Sequence, residues 1–198
     1  LDDPATAHLV GRPTIFFSHA WLYKFANVVA ALRAFVDGLP ADAPPQFIWF
    51  DCFSIDEHAT QALPQEWWAS TFAEAIALIG HTVMLLSPWD APTPLTRAWC
   101  LWELHCTSQA PDARFSVCLG PAERRAFEAA LLEKHDVIFD VFNGIDVANA
   151  QAGDPADRAM ILAAVEAAGG CAQLNGLAFE EMRRWACSEA RRMAAHPD

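Results

Sequence analysis

Short apolar runs alternate along the chain with longer segments in which apolar residues recur every three or four positions. The short runs are too short for buried helices, and their continuous apolar character is typical of parallel strands covered on both faces. The longer segments have the spacing of amphipathic helices that pack one side against a core. We predict strands at residues 14–18, 47–51, 82–86, 115–119 and 137–142, and helices at residues 25–39, 68–79, 96–106, 121–131, 157–168 and 177–195.

This alternation predicts an α/β fold. Right-handed crossovers between five parallel strands favour a flavodoxin-like, doubly wound sheet of order 2-1-3-4-5 with helices on both faces. With 198 residues, the chain is long enough to bury its core as one domain. We assign residues 1–12 to a leader or linker and residues 13–198 to a single domain, in which residues 154–198 form a C-terminal helical part. Because the first residue is not Met, we expect the domain to belong to a longer protein.

The balance of charges narrows the class of partner. The chain has 25 acidic and 13 basic residues, a formal net charge of -12, and its basic residues are scattered apart from two arginine pairs. Nucleic acid and anionic membrane are therefore not expected partners. No apolar run approaches the roughly 18 residues that span a bilayer, and no leader typical of secretion precedes the first strand.

The six cysteines do not predict disulfides or a metal site. None of them forms a C-x-x-C pair, and Cys100 and Cys118 lie inside apolar runs. Buried, reduced thiols in a cytoplasmic protein are the favoured interpretation. His105 and Cys106 could be zinc ligands, but no other ligand has a recognisable spacing from them. We therefore interpret them as helix surface and core filler, and we predict no metal site.

Residues 82–106 carry the most informative pattern in the chain. A strand is followed by a proline-rich loop, and Thr96 can cap a new helix at its end. On that helix Trp99 and Glu103 are four residues apart and so are neighbours on one side. An aromatic ring beside a lone carboxylate, just past the carboxyl end of a parallel strand, is where α/β folds bind ligands. The predicted topology brings two further loops, at residues 18–21 and 52–66, to the same edge.

The motifs PTIFFSHAW, FIWFDCFSID, TVMLLSPW and RAWCLWEL occur in the order and spacing of the strand A, strand B, strand C and helix C signatures of TIR domains. The resemblance covers residues 13–142 and is strong as an ordered set. The chain most resembles the divergent TIR-like domains that carry a SHAW motif within larger proteins.

This resemblance implies one of two functions: cleavage of NAD at the nicotinamide-ribose bond, or non-enzymatic TIR–TIR scaffolding. NAD would then be a substrate, no cofactor is implied, and self-association with other TIR domains is expected. On the family pattern, Glu103 is the catalytic residue and Trp99 packs against the nicotinamide or its ribose. The implied substrate contacts also include Ser18, His19, Trp21 and Phe53, and the implied supporting residues behind them are Asp51 and Ser87.

Several of these residues have simpler interpretations. Trp99 could belong to the core, as aromatic residues on amphipathic helices commonly do, and Glu103 could be an exposed helix carboxylate. His19 could be a structural histidine. Asp51 lacks the acidic cluster and lysine expected around a phospho-acceptor, so we set that role aside. Trp67 and Trp68, which follow the glycine-free loop, could form a hydrophobic staple or an interface, and the staple is favoured.

Overall fold

The computed structural model describes residues 9–54 and 65–195, apart from the side chains of residues 65, 66, 68 and 69. The first eight residues of the predicted leader lie outside the described residues. Most of the loop predicted at residues 52–66, and the side chain of Trp68 in the predicted staple, also lie outside them.

The described strands are β1 (Ile15–Ser18), β2 (Ile48–Trp49), β3 (His81–Leu85) and β4 (Arg114–Cys118). They form one parallel sheet of order β2-β1-β3-β4. β1 pairs with β2 and with β3, and β3 pairs with β4, all in parallel. The α/β class and the parallel pairing are thus confirmed.

A fifth strand is absent from the described part of the chain, so the predicted five-stranded sheet is wrong there. Residues 137–142 belong instead to the helix His135–Asn143. Within it Ile138 and Phe142 are buried, whereas Val137 and Asp140 are exposed. Because Ile138 and Phe142 are four positions apart, they form a helical stripe, and this pattern prevails over the strand propensity of the β-branched residues.

Two local predictions also need correction. The strand predicted at residues 47–51 is shorter, and Asp51 begins a one-turn helix instead of ending the strand. Thr96 does not cap the next helix. It lies in a 3₁₀ turn, where its hydroxyl donates to the backbone carbonyl of Thr93, and the helix begins after Arg97.

Helices cover both faces of the sheet. On one face α1 (Phe25–Asp37) packs against Ile15, Phe17 and Val83. On the other face α3 (Gln65–Ile79) and α4 (Ala98–Gln109) pack against Phe16 and Met84. Successive residues of a strand face opposite sides of the sheet, and helices cover both sides. This explains why the strands are continuous apolar runs in the sequence. The other described helices are α2 (Asp51–Ser54), α5 (Pro121–Glu133), α6 (His135–Asn143), α7 (Pro155–Ala167) and α8 (Cys171–Ala195).

The C-terminal part contains two helices, Pro155–Ala167 and Cys171–Ala195, which pack against Ala98–Gln109. Gly169 and Gly170 separate α7 from α8 and have φ angles of +120° and +88°, which favour glycine. Among the described residues, no single helix is both long and apolar enough to cross a membrane. In the part of the chain that the structure describes, one pair of helices, Pro155–Ala167 and Cys171–Ala195, reaches that length and composition when joined, and it is bent by 89°.

Candidate active site

A buried pair of hydroxyl groups fixes α4 on the sheet. The Thr107 hydroxyl lies 2.7 Å from the Thr82 hydroxyl of β3 and 2.7 Å from the backbone carbonyl oxygen of Glu103. Each hydroxyl has one proton, so both hydrogen bonds form when Thr107 donates to the carbonyl oxygen and accepts from the Thr82 hydroxyl. Glu103 lies one helical turn before Thr107, close to Ser18 at the carboxyl end of β1. The site is therefore at the edge of the sheet where parallel α/β folds bind ligands.

Glu103 is a buried carboxyl group, with 8% of the residue exposed. Its Oε2 atom has no hydrogen-bond partner among the described residues, and neither does Ser18 Oγ beside it. Burial raises the pKa of Glu103 to about 8, the negative charge of Asp51 adds to the rise, and the Ser18 hydroxyl opposes it. No hydrogen bond of ordinary geometry joins Ser18 to the carboxyl group, so we regard its opposing effect as weak. The alternative of an exposed helix carboxylate at this position is wrong.

Trp99 is half-buried and makes packing contacts with two other helices. Its ring centroid lies 5.2 Å from that of Phe72 in α3, and its Nε1 donates a 3.2 Å hydrogen bond to Asp157 Oδ2 in α7. These contacts agree with the interpretation of Trp99 as a structural residue. The predicted contact with nicotinamide or ribose stays a prediction.

The loop after β1 and the start of α2 meet through a polar cluster. His19 Nε2 lies 3.8 Å from Asp51 Oδ1, and Trp21 Nε1 donates a 2.6 Å hydrogen bond to Asp51 Oδ2. The His19 ring packs against Phe17 and Phe50, with centroids 5.2 Å and 4.6 Å away. Burial lowers the pKa of His19, although Asp51 and the backbone of Phe17 oppose this. The sequence placed these residues at one edge of the sheet, and the structure brings them together.

Phe53 lies in an exposed aromatic patch beside this cluster. Phe53 is 74% exposed, and its ring contacts Phe25 and Phe50 at centroid distances of 6.0 Å and 5.4 Å. Trp21 and Leu22 are exposed as well. We call Trp21, Leu22, Phe25 and Phe53 the exposed apolar patch. The predicted contact of Phe53 with the substrate stays a prediction.

Ser87 connects two loops through its backbone. Its carbonyl oxygen accepts hydrogen bonds from the Tyr23 hydroxyl and from the backbone N–H of Thr93. This contact ties the loop after β1 to the loop before α4. The predicted role of Ser87 behind the substrate contacts stays a prediction. The sequence analysis did not predict the contact of Tyr23 with Ser87. The available signal was that Tyr23 is the only tyrosine in the sequence.

Cys100 is a second residue whose place in the site was not predicted. Its Sγ lies 3.5 Å from the backbone carbonyl oxygen of His19, to which it can donate, and burial raises its thiol pKa together with the charge of Glu103. The thiol therefore joins α4 to the loop after β1 as a neutral group. The RAWCLWEL motif contained the signal, since Cys100 lies between Trp99 and Glu103.

His105 and Cys106 match their interpretation as helix surface and core filler. The His105 ring stacks on Trp102 with centroids 5.2 Å apart, while the Cys106 thiol is buried and its pKa is raised to about 12. His105 also lines a shallow pocket between α4, α7 and α8, together with Gln109, Gln173 and apolar side chains. That pocket does not include Glu103, so we do not assign the candidate chemistry to it.

No protein-family model, curated protein sequence or solved structure matches this chain. The sequence motifs alone therefore carry the resemblance to TIR domains. A function has to be inferred from the chemistry of the residues around Glu103.

Proposed function

We propose that this protein cleaves NAD at the nicotinamide-ribose bond, by hydrolysis, cyclisation or both, and that Glu103 supplies the catalytic carboxylate. The observation that carries the proposal is the burial of this single glutamate at the carboxyl edge of the parallel sheet, with one oxygen unpaired among the described residues. A buried carboxyl group with an unpaired oxygen is costly to folding, and such groups are concentrated at functional sites.

The reaction suits one buried carboxylate. Nicotinamide leaves as a neutral molecule because its ring is a pyridinium cation in NAD, so the leaving group needs no general acid. The ribosyl transition state has oxocarbenium character, and a carboxylate beside it stabilises the developing positive charge. Charge stabilisation of this kind is strongest where water is excluded, as it is around Glu103.

The raised pKa of Glu103 gives the substrate a second role. In the free protein near neutral pH the carboxyl group is mostly protonated, because its pKa is about 8. A bound pyridinium cation favours the ionised form and lowers that pKa. NAD binding should therefore release a proton from Glu103 and create the carboxylate that the transition state requires.

The test is to incubate concentrated protein with NAD and to measure released nicotinamide by chromatography. Glu103→Gln keeps the shape of the side chain but removes its charge, and should lower the rate by about 10² to 10³. Glu133→Gln, at an exposed glutamate in α5, is the matched control and should retain full activity. Equal nicotinamide release by a folded Glu103→Gln protein would refute the catalytic assignment.

A scaffolding function is the second candidate, and the exposed apolar patch favours it. Trp21, Leu22, Phe25 and Phe53 expose large apolar side chains, and the rings of Phe25 and Phe53 are in contact with each other. Exposed apolar patches commonly mark contacts between proteins. If this is the only function, the protein should self-associate without consuming NAD, and Phe53→Ser should abolish the association. Light scattering combined with the nicotinamide assay separates the two candidates.

A further inference from the structure

We propose that His19, Asp51 and Cys52 form a binding site for a divalent metal ion of the zinc class. One ligand atom from each residue lies within 4.8 Å of the other two. The residues come from two segments that the parallel pairing of β1 with β2 brings side by side. The proposal does not depend on NAD cleavage, since it concerns only what these three side chains bind.

The distances fit a tetrahedral ion after a small adjustment. With metal–ligand bonds of about 2.0 to 2.3 Å, ligand atoms around tetrahedral zinc lie roughly 3.3 to 3.8 Å apart. A nitrogen and an oxygen ligand lie at the short end of this range, so His19 Nε2 and Asp51 Oδ1, which are 3.8 Å apart, must approach each other by about half an ångström. Cys52 is exposed, so a rotation of its side chain can bring Sγ into the same range. The three protein ligands leave a fourth position for water, as in open zinc sites.

The types of ligand select the ion. A thiolate, an imidazole and one carboxylate suit zinc and its neighbours among the transition metals, whereas calcium and magnesium prefer oxygen ligands alone. Binding is coordination without electron transfer. The Cys52 thiol gives up its proton to solvent, Sγ and His19 Nε2 each donate a lone pair to the ion, and Asp51 binds through an oxygen.

The residues around the cluster hold two of the ligands in place. Trp21 Nε1 donates to Asp51 Oδ2, which leaves Oδ1 directed toward His19. The backbone N–H of Cys52 donates to Oδ1 at 2.7 Å and further fixes the carboxylate. The His19 ring is held between Phe17 and Phe50, and only 5% of its side chain is exposed. Hydrogen bonds that orient metal ligands in this way typically raise affinity about 10- to 100-fold.

Titration of the reduced, metal-free protein with Co²⁺ tests the proposal directly. We expect one ion per chain, visible tetrahedral cobalt bands, a thiolate-to-cobalt charge-transfer band, and loss of all of them when Zn²⁺ is added. Cys52→Ser should remove the charge-transfer band, and His19→Gln should weaken binding. Trp21→Phe, which keeps the ring but loses the N–H, should weaken binding about 10- to 100-fold.

Two matched controls use groups that resemble the site. Cys187→Ser removes a partly exposed thiol in α8, and His135→Gln removes a histidine that lies 3.3 Å from Asp136 at the exposed start of α6. Both variants should bind cobalt like the unmodified protein, and thermal melts should show that every variant is folded. The proposal is overturned if no saturable cobalt spectrum appears. It is also overturned if folded Cys52→Ser keeps the charge-transfer band, or if Cys187→Ser loses it.

Discussion

Replacing Glu103 with Gln should stabilise the folded protein, and the gain should grow with pH. In the folded state the pKa of Glu103 is about 8, well above the ordinary value of 4.5. Between these two pH values the folded protein holds a proton that the unfolded chain has released. The stability of the unmodified protein should therefore fall as pH rises through this interval, whereas a Gln side chain does not titrate.

The size of the effect follows from the same interval. Each pH unit between 4.5 and 8 costs the unmodified protein about 1.4 kcal/mol of unfolding free energy relative to the variant. The upper limit is about 5 kcal/mol above pH 8, and relaxation around the buried charge should reduce it to roughly 2 to 5 kcal/mol. Since small domains have only about 5 to 15 kcal/mol of stability, this difference is readily measured.

The assay is urea denaturation of both proteins at pH 5, 7 and 9, with EDTA present so that no divalent ion binds near Asp51. Groups that titrate in both proteins cancel in the difference. At pH 5 the two curves should nearly coincide, and at pH 9 the variant should unfold at a higher urea concentration with an unchanged slope. Glu133→Gln measures the effect of the same substitution at an exposed site. A difference that does not change between pH 5 and pH 9 would refute the burial of an unpaired carboxyl group at Glu103.

The titration of Glu103 should also appear in the pH dependence of NAD cleavage. We expect kcat/KM to rise with pH and to level off above about pH 8, where Glu103 of the free protein is ionised. We expect kcat to level off at a lower pH, because the bound cation favours the carboxylate. Identical profiles for the two constants would contradict this coupling. Trp99→Ala should cost roughly 3 to 5 kcal/mol of unfolding free energy, because the ring packs on Phe72 and bonds to Asp157. A small thermal shift with a large loss of NAD cleavage would instead favour the substrate contact. Specific activity should rise with protein concentration and with salt, because a net charge of -12 opposes self-association at low ionic strength. Trp67→Ala, at an exposed position in α3, should reduce that rise. If activity is strictly proportional to enzyme concentration and the protein is monomeric throughout, activity does not depend on self-association.

The sequence predicted the central part of the fold well because its signals were local. The apolar run at the third strand is bounded by Gly80, whose φ is +72°, and by Pro88, so β3 could be placed to within one residue. The break at Gly169 and Gly170 was also predicted, although the helix after it begins at Cys171, six residues before the predicted start. The segment at residues 137–142 was ambiguous, because its apolar residues fit both a buried strand and a helical stripe. Only packing against the rest of the core decides between them.

The site was predictable in its position but not in its burial. Helical spacing placed Trp99 and Glu103 as neighbours, yet the depth of Glu103 depends on how α4 is rotated against the sheet. That rotation is fixed by the contact between Thr82 and Thr107, which are 25 positions apart. The shared edge of His19 and Asp51 was predicted, but their direct contact was not, since they are 32 positions apart and no local spacing signals it.

The end of the sheet at β4 also bears on how copies of this protein meet. Because residues 137–142 form a helix, no described strand pairs with the outer side of β4, and an unpaired edge is a template for aggregation. β4 begins with an exposed arginine, Arg114, and the opposite edge strand, β2, has only two residues. Charged and very short edge strands resist the addition of another strand. Concentrated solutions of the domain should therefore favour reversible contacts between side chains over growth into β-rich aggregates.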